Sequence, residues 1–128
     1  MVSSIHNHVK ITVDAQYMGE NSDIENQQYF FVYHIRIENL KSDPIQLLSR
    51  KWRIAETLKP IMLIKGEGVV GLTPVIQPHQ AFTYTSGCQL SSEIGTMRGA
   101  YTFINLVTQE LFDIQIPTFT LEYPALRN

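Results

Sequence analysis

Apolar side chains return at every second residue along most of this chain, the spacing at which a β-strand brings side chains back to one face. From Val9 the series is Val9, Ile11, Val13, Ala15 and Tyr17, with Lys10, Thr12, Asp14 and Gln16 between them. Tyr29, Phe31, Tyr33, Ile35 and Ile37 repeat it, with Val32, His34, Arg36 and Glu38 on the opposite face. Residues 39–44 carry turn chemistry (Asn, Ser, Asp, Pro). A third strand is predicted over 45–54, with Leu48, Trp52 and Ile54 in phase. Further strands are predicted at 61–65, 81–89, 99–107 and 111–116, the last two joined by the polar turn Thr108-Gln109-Glu110, and residues 118–123 alternate again.

Helix signals are nearly absent. Pro60 cuts the stretch after Ile54, and residues 91–95 suffice for one turn. Seven to eight short strands without intervening helices predict an all-β fold, an antiparallel β-sandwich, in a single domain over residues 1–128. Trp52 sits where immunoglobulin-like domains bury a tryptophan, and Tyr101 near the start of a late strand is a candidate tyrosine corner. A chain of 128 residues buries enough surface to need no metal or disulfide for stability.

Two stretches, 66–78 and 86–99, read as long loops on this scaffold, and long ordered loops are where binding concentrates. Their apolar residues, among them Val69, Val70, Leu72, Ile94 and Met97, suit a protein partner; burial against the open end of the sandwich is the competing explanation. The first stretch opens with Gly66-Glu67-Gly68-Val69-Val70-Gly71, which has the glycine spacing of dinucleotide-binding folds. That fingerprint needs a helix to follow, and Pro74 and Pro78 forbid one. A glycine loop can still turn N–H groups towards a small anion, with Lys65 or Lys51 supplying charge, so Gly66, Gly68 and Gly71 form a candidate pyrophosphate-type or nucleotide site. Glycines that supply positive φ or close backbone approach account for the same string.

Charge adds one point. With 10 basic and 12 acidic residues the chain has no field to hold a long polyanion, so broad nucleic-acid binding is not expected. Residues 41–65, however, hold six basic residues against two acidic ones, a local +4, while the remainder is −6. Arg50 falls in phase with the core and must find an internal ion pair or carbonyl partners, whereas Lys51 and Arg53 share the other face.

Candidate chemistry is thin. His6 and His8 would share a face of an extended N-terminus and, with a carboxylate such as Asp14, form a weak candidate metal site, but no third ligand is fixed by spacing. Thr85-Ser86-Gly87-Cys88 is a compact set of nucleophiles with His34 or His79 as conceivable bases, yet no G-x-S-x-G elbow is present, and no catalytic residue or cofactor is assigned. Cys88 has no partner in the chain, which fits a reducing compartment. No basic-then-apolar leader opens the chain and no apolar run reaches about 18 residues, so a cytoplasmic protein off the membrane is expected. An exposed strand edge leaves homo-oligomers open.

Taken together, residues 30–39, Leu47-Leu48-Ser49-Arg50 followed by Trp52, the glycine string with Pro74, Phe82-x-Tyr84-Thr85-Ser86-Gly87, Gly95-x-Met97-x-Gly99-x-Tyr101 and Ile116-Pro117-x-Phe119 resemble the ApaG family, in order and over nearly the whole chain. Lys51 stands where that family usually has histidine, His79-Gln80 replaces its usual Gly-Glu, and residues 56–60 lack the expected Asp/Gly turn. The first departure undercuts any site needing a histidine beside Arg50. The resemblance implies a fibronectin type III-like sandwich, a link by name to cobalt and magnesium resistance, and a protein-binding role in related eukaryotic domains. It supplies no catalytic residues. An ion pump is excluded for this chain alone, because transport needs membrane-spanning elements, so any metal link is indirect. The expected function is therefore a non-enzymatic binding or adaptor domain with a protein partner.

Overall fold

The structure is a computed structural model that describes residues 1–127. Nine antiparallel strands form two packed sheets: β1 (Val2–His6), β2 (Val9–Tyr17), β3 (Tyr29–Asn39), β4 (Ile45–Glu56), β5 (Met62–Glu67), β6 (Val75–Ile76), β7 (Ala81–Leu90), β8 (Ile94–Asn105) and β9 (Leu111–Glu122). One sheet has the order β1-β2-β3-β7; the other runs β5-β4-β8-β9, with β6 following β5 along the same edge of β4. The sandwich is immunoglobulin-like, as the alternation predicts. Among the described residues no helix is long and apolar enough to cross a membrane.

The inward faces are the apolar sets of the sequence pattern. Val9, Ile11, Val13, Phe31, Tyr33, Ile35 and Ile37 of one sheet meet Trp52, Ile54, Tyr101, Phe103, Ile114, Ile116, Phe119 and Leu121 of the other, all buried. Trp52 anchors this core, edge-on to Tyr33, Phe119 and Tyr101. Tyr101 is no tyrosine corner, which would bond back to nearby backbone. Its hydroxyl instead shares a hydrogen bond with that of Tyr84, joining β8 to β7 across the sandwich. Asn39, the buried polar residue, fixes the β3–β4 turn by donating to the carbonyls of Asp43 and Ile76, both at 2.9 Å, and accepting from the Lys41 amide at 2.9 Å.

The strand pattern departs from the sequence expectation at two bulges. Leu48 is the extra residue where the β4–β8 register shifts between Leu47 and Ser49. It switches the buried phase of β4 from Ile45 and Leu47 to Trp52 and Ile54. On β9 the register shifts opposite Met97–Gly99, at Pro117-Thr118, so the two predicted segments 111–116 and 118–123 are one kinked strand. The predicted loop 86–99 does not exist either. β7 runs to Leu90, β8 starts at Ile94, and Met97 belongs to the core. The turn between them is held by Glu56, whose Oε1 accepts the amides of Ser91 and Ser92 at 2.7 and 3.0 Å and their hydroxyls at 3.2 and 2.8 Å. Residues 66–78 are likewise largely structured, since Gly66 and Glu67 close β5 and Val75 and Ile76 form β6.

Candidate functional site

The glycine string is built around Arg50. Arg50 pairs in register with Gly66, and a Cβ at Gly66 would stand 2.6 Å from Arg50 Nη1, so only glycine leaves room for the guanidinium. That nitrogen donates to the carbonyls of Glu67 at 3.1 Å and Gly68 at 2.8 Å, the carbonyl clamp that a half-buried arginine requires. Gly68 takes φ +61 with its α-carbon packed against the Leu72 carbonyl. Its amide donates to the Leu48 carbonyl at 2.8 Å, and Val69 and Leu72 exchange amide–carbonyl bonds at 2.8 and 2.9 Å around a tight turn at Val70 and Gly71. The string therefore directs carbonyls at Arg50 and spends these amides on its own backbone. Of the five residues expected to hold an anion, Lys51, Lys65 and Gly66 line one open groove of about 520 Å³ with Arg50 and Glu67; Gly68 and Gly71 do not line it.

Register gathers more charge than the sequence indicates. On the outer face of the five-stranded sheet Lys51 lies opposite Lys65 on β5, and one rung further Arg53 lies opposite Arg98 on β8. These four cations line a trough of about 620 Å³ with Gly99 and Ala100 in its lining between them and with Leu63, Gln115 and Thr118. Lys51 Nζ meets Asp113 Oδ2 at 3.7 Å across an exposed surface. Arg53, Arg98 and Lys65 have no ion-pair partner among the described residues. Arg98 was hidden from sequence reasoning because residues 86–99 resemble a loop; its only signal is the alternation Gly95, Met97, Gly99 around it.

The edge beside this trough is apolar. Ile61, Met62, Leu63 and Ile64 on and before β5 are exposed, as are Leu58, Val70, Leu72 and Val75 along the same margin. The expected partner surface needs one correction: Val69 is fully buried, a core residue beneath the turn, while Val70 and Leu72 are 53% and 52% exposed. Val70 has φ 44, a left-handed conformation that a β-branched residue rarely adopts and that costs about 1 kcal/mol or more. The outer edge of β5 has no strand beside it.

Elsewhere the candidate chemistry disperses. His34 Nδ1 and Thr85 Oγ1 share a 2.7 Å hydrogen bond, and Asp14 is the register partner of His34, but this row lies on an exposed sheet face outside both grooves. Cys88 is no activated nucleophile, since burial, with the charge of Glu56 adding, pushes its thiol up to about 11. His79 is exposed in the turn before β7. His6 ends β1 opposite Val9, whereas His8 sits in the following turn at φ 60. Asp14 lies five residues further along β2, about 17 Å away, so the proposed metal set is not assembled. Among the described residues no three His, Cys, Asp or Glu side chains are grouped to hold a metal ion.

Comparison with known proteins places this architecture. The profile described as the ApaG domain matches residues 19–105. The proteins named ApaG of Methylorubrum populi and Rhodospirillum centenum are 40% and 35% identical over 119 and 128 residues, covering 93% and 100% of this chain and 91% and 98% of theirs. A crystal structure from Bordetella pertussis, of a protein named ApaA, is 40% identical and superposes with a TM-score of 0.86 over 91% of this chain and 94% of that one. With matching motifs, fold and near-complete overlap, this chain belongs to the ApaG family.

Proposed function

We propose that the protein is a non-enzymatic docking domain that engages a protein partner along the β5–β6 margin. The observation that carries this reading is the row of eight exposed large apolar residues, Leu58, Ile61, Met62, Leu63, Ile64, Val70, Leu72 and Val75, beside an unpaired strand edge. Edges of this kind are normally covered or charged, because their free N–H and C=O groups and apolar side chains invite another chain. Val70 supports it further, since asparagine or glycine would hold the same turn without strain and without an exposed methyl pair. Any cobalt or magnesium connection then runs through the partner.

Site-specific photo-crosslinking inside cells tests the margin directly. A crosslinker at position 62 or 70 should give a discrete adduct with another protein, and one at position 83, on the polar edge strand β7, should not. Adducts of equal yield from both edges, or adducts only of two copies of this chain, would end the reading.

A further inference from the structure

We infer that the outer face of the five-stranded sheet receives an acidic, extended segment of a protein partner. The inference shares with the docking reading a protein partner and the Leu63 side chain, which stands where the margin meets the trough, but it concerns the charged outer face rather than the strand edge. Two like-charge rungs stand side by side there, Lys65 opposite Lys51 and Arg53 opposite Arg98. Like charges directly opposite each other on adjacent strands are destabilising. Among the described residues one counter-charge meets these rungs, Asp113 at 3.7 Å from Lys51 with both side chains more than half exposed, which is worth little. The face is thus held ready for negative charge from outside.

Geometry selects the ligand class. The two rungs are two residues apart along β4, about 7 Å, the distance at which an extended peptide repeats its side chains on one face. Carboxylates at alternate positions of such a segment therefore reach both rungs, and the guanidinium forks of Arg53 and Arg98 match a carboxylate in two-point contact. Ala100, opposite Lys51 on the outer face, keeps the trough low between its cationic sides, so the segment can approach, and Leu63 offers an apolar wall to the residues between the acids. No outward aromatic side chain lines the trough, although stacking platforms are what single-stranded nucleic acid requires. The next rung, Glu67-Ser49-Thr102-Asp113, carries acids at both ends and sets a limit to the cationic band.

Fluorescence anisotropy at low salt, with a labelled peptide of alternating Glu and Thr, tests this on the full chain. Binding is expected, weakened about tenfold or more by Arg53→Glu/Arg98→Glu and by raised salt, as charge-led docking requires. Charge reversal on both sides leaves a like-charge rung, so this variant should melt close to the parent; Arg53→Gln/Arg98→Gln, which removes the repulsion and keeps polar side chains, should melt no lower than the parent and weaken binding in the same direction. Absence of binding at millimolar peptide, undiminished binding by both variants, or tighter binding of a single-stranded oligonucleotide of equal charge would each overturn the inference. A variant of the neighbouring margin, Val70→Asn/Leu72→Ser, should bind the peptide as the parent does while losing its crosslinked partner, so failure of one reading is separable from failure of the other.

Discussion

The outer faces of the two sheets are built from similar residues arranged by opposite rules. On the four-stranded sheet, register sets Lys10 opposite Glu38 and Asp14 opposite His34, His34 shares a hydrogen bond with Thr85, and Arg36 pairs with Glu38 at 3.5 Å. Phe30 lies over Gly87, covering the one position without a side chain. Charges there are answered within the sheet. On the five-stranded sheet, cation faces cation on two successive rungs, and the adjoining edge is apolar and unpaired. A surface whose pairs are complementary needs nothing else, whereas one whose pairs repel is organised for something not in the chain.

The largest test of this contrast concerns the strand beneath the trough, where Gly99 faces the core beside Trp52. A Cβ at Gly99 would overlap the Lys51 carbonyl oxygen and press on the Trp52 ring, both fixed by the β4–β8 ladder. On the outer face of the four-stranded sheet, a Cβ at Gly87 would meet only the Phe30 ring edge, the far end of a side chain that can swing outwards. Gly99→Ala should therefore cost about 3 kcal/mol and Gly87→Ala about 1, by the usual penalties of overpacking. Chemical denaturation of both variants checks the ratio; equal costs would mean that the backbone under the trough is no more constrained than the balanced face.

Between the faces, the Tyr84–Tyr101 hydroxyl pair ties the sheets together in the core. Tyr101→Phe leaves the Tyr84 hydroxyl buried without its partner and should cost about 1–3 kcal/mol, while Tyr84→Phe/Tyr101→Phe removes both groups and should recover much of that loss. Burial raises both phenols well above their ordinary value, with the Arg50 charge working weakly the other way. The native state thus keeps protons that the unfolded chain releases, so stability falls as pH rises. Cys88 opens this window: thermal melts should be level below pH 9.0 and decline between there and about 11. The tyrosines extend the decline, and Tyr84→Phe/Tyr101→Phe should flatten the upper part of the profile.

Much of this architecture is legible in the residues, because half-buried antiparallel strands must alternate, and Val9–Tyr17 reads without error as β2. What escapes is whatever depends on register between strands. The bulges at Leu48 and Pro117 change phase within a strand, so one strand looks like two, or a core residue falls a place away from its expected position. Small residues between Ser86 and Gly99 look like a loop, although their smallness serves close packing, as at Gly99 over the Lys51 carbonyl. Val69 looks like its neighbour Val70, and only the tight turn decides which side chain faces inwards. The local +4 of residues 41–65 is visible at once, yet its meaning depends on Arg98, 33 positions beyond, which pairing alone brings to Arg53.

The smallest effect bears most directly on the contrast, because it is a difference of sign. Arg98→Glu turns the Arg53 rung into an opposite-charge pair and should stabilise the fold by about 0.2–1 kcal/mol. Glu38→Lys on the balanced face sets like charges opposite Lys10, removes the Arg36 ion pair, and should destabilise by a similar amount. Both residues lie on strand faces away from the core, so packing changes little in either variant, and added salt should shrink both effects together. Melting curves at low and high ionic strength measure the pair. If both substitutions destabilise, the cationic rungs are held by interactions within the fold, and the two faces differ in composition but not in purpose.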